Sequence, residues 1–162
     1  MLGRALILCL ATAYVFGCKG TEGATGPRGP SGAGTKVVSV NAYAPTSTTS
    51  TSVQPIPQMS LTLSLDSAST VVVSFGAEMY LSAAPTSGGN GIVVNILVDG
   101  SALVPAVSYT ASPYYGAYSY IWSVGLPAGQ HVVAANWNLC GTGCTGLTGY
   151  AAARELTVWW VR

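Results

Sequence analysis

Few side chains of this sequence are placed to do chemistry. His131 is its one histidine, two residues after Gly129 in a run that alternates His131, Val133, Ala135 and Trp137. One histidine cannot build a multi-histidine zinc site, and no Gly-x-Ser-x-Gly elbow or pair of catalytic carboxylates stands near it. Its position just after a turn predicts a structural hydrogen bond. Asp99-Gly100 sets a carboxylate among loop carbonyls, the ligands that calcium takes, but Asp-Gly at a hairpin needs no metal to explain it. The expectation is no enzyme, no metal and no cofactor.

Two further groups remain. Cys140-Gly-Thr-Gly-Cys144 is a C-x3-C loop whose glycines let it meet disulfide geometry, and in an exported chain the compartment is oxidising, so a Cys140–Cys144 disulfide is expected. A zinc site would want two more ligands, and a redox pair is more often C-x-x-C. Tyr114, Tyr115, Tyr118, Tyr120 and Trp122 are the best material for a binding surface, since aromatic rings stack on sugars and bury large areas at interfaces. Tyr118, Tyr120 and Trp122 alternate as one strand face should, which assigns them to the core or to a subunit interface. Tyr114 and Tyr115 lie between Pro113 and Gly116 at a predicted loop tip and are the candidate binding surface.

The elements that must position these residues are strands. Met59 to Leu65 alternates Met59, Leu61, Leu63 and Leu65 with hydroxyl residues, the period of a half-buried strand. Ser69 to Leu81 places Phe75, Ala77, Met79 and Leu81 on one face, and Gly91 to Val98 is nearly continuously apolar. Asp99-Gly100 then predicts a type I′ hairpin turn into a strand over Ala102 to Thr110, whose Pro105 argues for an edge position. Lys36 to Val40, Ala117 to Val124, Gln130 to Trp137 and Glu155 to Val161 complete eight predicted strands. Ala44 to Gln58, with its Ser/Thr cluster from Thr46 to Ser52, reads as a loop. Such spacing with almost no helical period predicts an all-β, antiparallel β-sandwich of jelly-roll type over residues 35–162.

The amino-terminal part reads differently. Met1 to Arg4 carries one positive charge, and Ala5 to Phe16 is an apolar run too short to span a membrane, which predicts a signal peptide over residues 1–17. Val15-Phe16-Gly17-Cys18 resembles the lipobox of bacterial lipoproteins, which implies lipidation of Cys18; cleavage after Ala11-Thr-Ala13 is the competing reading. Lys19 is not the aspartate that commonly retains lipoproteins in the inner membrane, so the resemblance implies export to the cell surface, on the outer membrane of a diderm host. From Cys18 to Gly34 glycine recurs at 20, 23, 26, 29 and 32, the Gly-X-Y period of a collagen-like stalk. Five triplets reach about 45 Å at ~3.1 Å per residue. A flexible Gly/Ser/Pro tether is the alternative.

Val-Asp-Gly at 98–100, Leu-Pro-Ala-Gly-Gln-His at 126–131, Asn-Trp at 136–137 and Arg-Glu-Leu-Thr-Val at 154–158 resemble a pattern of collagen-like and phage or bacterial surface proteins. Their heads are similar to the jelly rolls of the complement q and tumour necrosis factor superfamily, which implies a homotrimer. Composition is consistent with a hidden surface: 49% of the 162 residues are hydrophobic and 7% charged, against roughly 25% charged in an average chain. With a formal net charge of +1 there is no basic patch, which excludes nucleic acid as a partner. The expected function is a membrane-anchored surface protein in adhesion or architecture with a trimeric head and a glycan or protein ligand; the alternative is a monomeric carbohydrate-binding module.

Overall fold

A strand that alternates apolar and hydroxyl side chains can bury only one face, so sheets built from such strands must pair. The computed structural model describes residues 34–86, 91–109 and 115–161. The strands are β1 (Thr35–Ala42), β2 (Thr46–Thr48), β3 (Gln54–Leu65), β4 (Ser69–Leu81), β5 (Ile92–Val98), β6 (Ser101–Ala102), β7 (Val107–Tyr109), β8 (Gly116–Leu126), β9 (Gly129–Leu139) and β10 (Gly149–Val161). One sheet runs β1-β10-β4-β8, with β2 added to β10; the other runs β3-β9-β5-β6, with β7 added to β5. Every pairing is antiparallel. The molecule is thus the all-β sandwich that the alternation predicts.

The core follows from the period of two. Val71, Val73, Phe75, Met79 and Leu81 of β4 are buried together with Ile92, Val94 and Ile96 of β5 and Val133, Ala135 and Trp137 of β9. Each fully buried aliphatic or aromatic side chain contributes roughly 1.5–3 kcal/mol by leaving water. Trp122 closes one side of the sandwich, since its Nε1 donates to the Pro105 carbonyl at 2.9 Å and so ties β8 to the segment between β6 and β7. Tyr118 and Tyr120 share the inward face of β8 with Trp122, but Tyr120 sits at its open edge and is partly exposed.

Three details depart from the alternation. The Ser/Thr-rich segment expected as a loop contributes β2, which pairs Thr46–Thr48 with Gly149–Ala151, and β3 already begins at Gln54. Backbone groups of β10 beyond its bulge between Ala151 and Arg154 are available there, and such pairing needs no apolar pattern. The strand expected over Ala102 to Thr110 is two short pieces, because Pro105 has no N–H to give the ladder. The closing strand starts at Gly149 rather than Glu155. The hairpin turn has the expected form: Asp99 and Gly100 have φ of 51° and 80°, the two left-handed positions of a type I′ turn. Cys18, the signal peptide and the collagen-like triplets lie outside the described residues.

Candidate functional site

Among the described residues most of the aromatic side chains that reach solvent gather on or beside the outer face of the β1-β10-β4-β8 sheet, Tyr120 on the inward face being an exception. In register across that face run Val37, Trp159, Val72 and Ser123; then Ser39, Thr157, Ser74 and Ile121; then Asn41, Glu155, Gly76 and Ser119. Farther along, Tyr150 of β10 stands opposite Tyr80 of β4. The Tyr80 and Tyr150 rings stack at 4.5 Å between centroids, 9° from parallel, and the Tyr115 ring tilts against Tyr80 at 4.2 Å. Tyr115 is 64% exposed. The Tyr80 hydroxyl is hydrogen-bonded to that of Tyr115, which with desolvation and the neighbouring phenols pushes its pKa up to about 12. Tyr80 therefore stays uncharged at physiological pH, and the three rings together present an aromatic platform.

A groove adjoins it on the same face. One depression, of about 270 Å³, lies over Gly76 between Ser74, Ser119, Glu155, Thr157 and Trp159. A second, of about 200 Å³, shares Gly76 and Glu155 with the first and extends to Asn41 and Tyr43. Tyr43 is 77% exposed. Thr157 Oγ1 donates to Glu155 Oε1 at 2.6 Å, which orients the carboxylate. The groove thus pairs an aromatic ring at either side with hydroxyls, an amide and one oriented carboxylate between them. That set can stack on the apolar face of a sugar ring and bond its hydroxyls.

Beneath the groove the β10 bulge is held from inside. Arg154 is 3% exposed and its Nη1 donates to the carbonyls of Ala44 at 2.8 Å, Ala151 at 3.0 Å and Ala152 at 3.4 Å. The contact with Ala44 pins the bend between β1 and β2, so one side chain fixes both the bulge and the strand edge that carries Tyr43. Burial lowers its pKa, and its Nε has no hydrogen-bond partner.

The residues singled out by chemistry fall elsewhere. His131 is 7% exposed and lies at the far sheet's turn end, with Nδ1 2.7 Å from Asp99 Oδ2 and Nε2 3.0 Å from the Pro127 carbonyl. A carboxylate and a carbonyl both accept, so the ring satisfies both by carrying two protons. The bond to Asp99, then the one to Pro127, raises the His131 pKa; the bond from His131, then that from the Val132 amide at 2.8 Å, lowers that of Asp99. This clamp joins the β5–β6 turn to the start of β9 and is the structural hydrogen bond its turn position suggests. Cys140 and Cys144 are joined by a disulfide around a short 3-10 turn, Thr142–Cys144. Their loop is tied to its surroundings by Cys140 N to Gly91 O at 2.7 Å and Thr86 N to Gly143 O at 3.0 Å. No group of three or more His, Cys, Asp and Glu side chains converges among the described residues.

Of the candidate binding surface, Tyr115 joins the stack, and Tyr114 lies outside the described residues. The sequence reading gave no ligand-binding role to Tyr43, Tyr80, Tyr150 or Trp159. The outward phase of β4 and β10 carried the signal: Tyr80 follows the inward Met79, and Trp159 lies between the inward Val158 and Trp160.

No family model matches the chain, and no curated protein matches it. Among solved structures, dimeric latent PorU from Porphyromonas gingivalis is similar over 81% of this chain and 13% of that one, with a TM-score of 0.50 and 11% identity. A family 35 carbohydrate binding module from an environmental isolate matches at a TM-score of 0.42 and 15% identity, over 61% of this chain and 62% of that one. One from Clostridium thermocellum matches at 0.39 and 11%, over 74% and 97%. This chain spans less than two thirds of the length of the first two of these structures. At such identities the likeness is one of fold alone, and the two lower scores carry no argument.

Proposed function

We propose that this chain carries a non-catalytic, glycan-binding β-sandwich, exported and held at the cell surface by a lipid on Cys18 with the Gly-X-Y segment as spacer. The observation that carries the reading is the stack of Tyr115, Tyr80 and Tyr150 on a solvent-facing sheet, beside a groove lined by hydroxyls. Aromatic rings on an outward strand face gain nothing from the core. They do match the C–H face of a pyranose, whose hydroxyls need the acceptors and donors that Glu155, Ser74, Ser119 and Asn41 supply.

The test is affinity electrophoresis of the purified protein in gels holding single polysaccharides, with Tyr115→Ala beside the wild type. The wild type is retarded by at least one polysaccharide, and Tyr115→Ala loses about tenfold in affinity with an unchanged melting temperature. A wild type that no gel retards overturns the reading.

The homotrimeric head is a second reading, favoured by the exposed apolar side chains of Val37 and Ile121 on the two edge strands of the same face. Sedimentation of the purified protein at micromolar concentration separates the two: a monodisperse monomer removes the trimer, and a trimer that covers this face leaves no room for a glycan there.

A further inference from the structure

Gly76 occupies the middle of β4, where glycine weakens a strand and offers nothing to pack. Most glycines of the sandwich have a local cause. Gly100, Gly129 and Gly146 have positive φ, and a Cβ at Gly116 or Gly149 would come within 2.8 Å of the Tyr118 ring or of Leu139. Gly76 has neither cause. Its φ lies outside the left-handed range, and a Cβ there would meet only the Tyr118 carbonyl at 3.7 Å, an ordinary contact. Gly125 is similarly open, but it stands beside the turn that ends β8. What an outward side chain at position 76 would fill is the groove itself, since Gly76 lines both of its depressions.

The chemistry of the lining narrows the occupant. Glu155 and Glu78 are exposed on this face, and no exposed lysine or arginine among the described residues stands there with them. Arg154 lines the second depression from beneath, but it is 3% exposed and its Nη1 is spent on the Ala44 and Ala151 carbonyls. The solvent-facing charge of the groove is therefore that of the two carboxylates, which disfavours uronic, sialic and sulfated sugars. Glu155 Oε1 takes the Thr157 hydroxyl, which leaves Oε2 to accept from a ligand hydroxyl. Aromatic rings recur along the strands: Trp159 stands in register with Val72, and Tyr150 with Tyr80. The eight steps from Val72 to Tyr80 cover about 27 Å at ~3.4 Å per residue, enough for several sugar units.

We infer that the Gly76 depression is the central subsite of an elongated site for an uncharged polysaccharide, whose chain runs along β4 and β10 from Trp159 past Tyr43 to the tyrosine stack. This rests on the glycan-binding reading and gives that reading a position, a length and a charge preference. Glycine at position 76 keeps open the place where a sugar ring lies, with Glu155 and Ser119 at its two sides.

The experiment compares wild type, Gly76→Val and Gly125→Val by affinity electrophoresis against neutral polysaccharides (a glucan, a mannan, a galactan and a xylan) and anionic ones (polygalacturonate and heparin). Valine suits a strand and position 76 has room for its Cβ, so Gly76→Val melts at or above the wild-type temperature. The expected result is retardation of wild type and Gly125→Val by a neutral polysaccharide, lost more than tenfold in Gly76→Val. If Gly76→Val binds as the wild type does, the subsite is overturned while glycan binding stands. If the anionic polymers bind better than the neutral ones, the charge assignment is overturned. If the wild type binds none of the polymers, both the subsite and the reading beneath it fall.

Discussion

Toward the core, the sheet that contains β4 and β10 contributes Val71, Val73, Phe75, Met79, Leu156 and Val158, and the sheet that contains β5 and β9 contributes Ile92, Val94, Ile96, Val133 and Leu139, all buried. In chemistry these inner faces are interchangeable. Their outer faces are not. The first sheet turns Tyr80, Tyr150, Trp159, Glu78 and Glu155 to solvent around a floor that lacks a side chain at Gly76. The second turns out Ser60, Thr62 and Ser64 of β3, Asn95 of β5, and Val132, Asn136 and Asn138 of β9. Its amides are partly spent on one another: Asn95 Nδ2 donates to Asn138 Oδ1 at 3.2 Å, and Asn138 Nδ2 to the Leu139 carbonyl at 3.0 Å. Among described side chains that face carries no aromatic. A sandwich needs only its inner faces to fold, so the outward asymmetry is where selection for a ligand would be recorded.

The largest effect that can break this comparison is on binding. Replacing Tyr80 and Tyr150 together by alanine removes the stack; at about tenfold per ring, affinity for the polysaccharide that retards the wild type falls roughly a hundredfold, or about 2.8 kcal/mol. Asn136→Ala with Asn138→Ala on the opposite face leaves it within about twofold. Titration calorimetry reads both. Equal losses from the two pairs would mean that the faces do not differ in function.

How much of this asymmetry the sequence discloses depends on which force places each residue. The strands of the core are legible because a buried face imposes strict alternation, as from Met59 to Leu65 and from Val71 to Leu81. The Asp99-Gly100 turn is legible because two successive left-handed residues demand that chemistry. β2 is not, since Thr46–Thr48 is held by backbone pairing with β10 and carries no apolar pattern. The break of the second edge strand shows only as Pro105. Of the candidate site, Tyr115 was within reach from its loop position. Its partners Tyr80 and Tyr150 are 70 residues apart in sequence, and only the register of β4 against β10 brings them into contact. Arg154 is likewise unreadable alone, because its acceptors exist only once the β10 bulge has formed.

A second, smaller effect concerns what holds each outer face in place. Arg154→Ala strands the Ala44 and Ala151 carbonyls at the bulge, and losing bonds to a buried charged donor costs about 2–4 kcal/mol. Asn95→Ala on the other sheet removes one neutral side-chain bond and costs about 0.5–1.5 kcal/mol. Urea unfolding compares the two. Arg154→Ala should also weaken polysaccharide binding, since the bend at Ala44 sets the edge that bears Tyr43, whereas Asn95→Ala should not.

The smallest effect comes from the Asp99–His131 clamp, which lies away from the outer face of β4 and β10 and therefore separates stability from binding. Its two partners titrate in opposite directions. The His131 pKa is raised above its ordinary 6.5, so its contribution is complete below pH 6.5 and is lost as pH rises through the higher folded value. The Asp99 pKa is lowered from 3.8, so its contribution is complete above pH 3.8 and is lost as pH falls through the lower folded value. The pair stabilises most between those limits, and the melting temperature should decline modestly as pH is raised from 6 to 9. Asp99→Asn removes the main cause of the His131 shift, so it should melt lower at pH 5 and show a flatter alkaline decline. The Asp99 side chain is 49% exposed, so added salt should shrink the difference. Its polysaccharide affinity at pH 6 should equal that of the wild type. An alkaline slope unchanged by Asp99→Asn would assign the pH dependence to another group, and a lost affinity would move the binding site away from the outer face of β4 and β10.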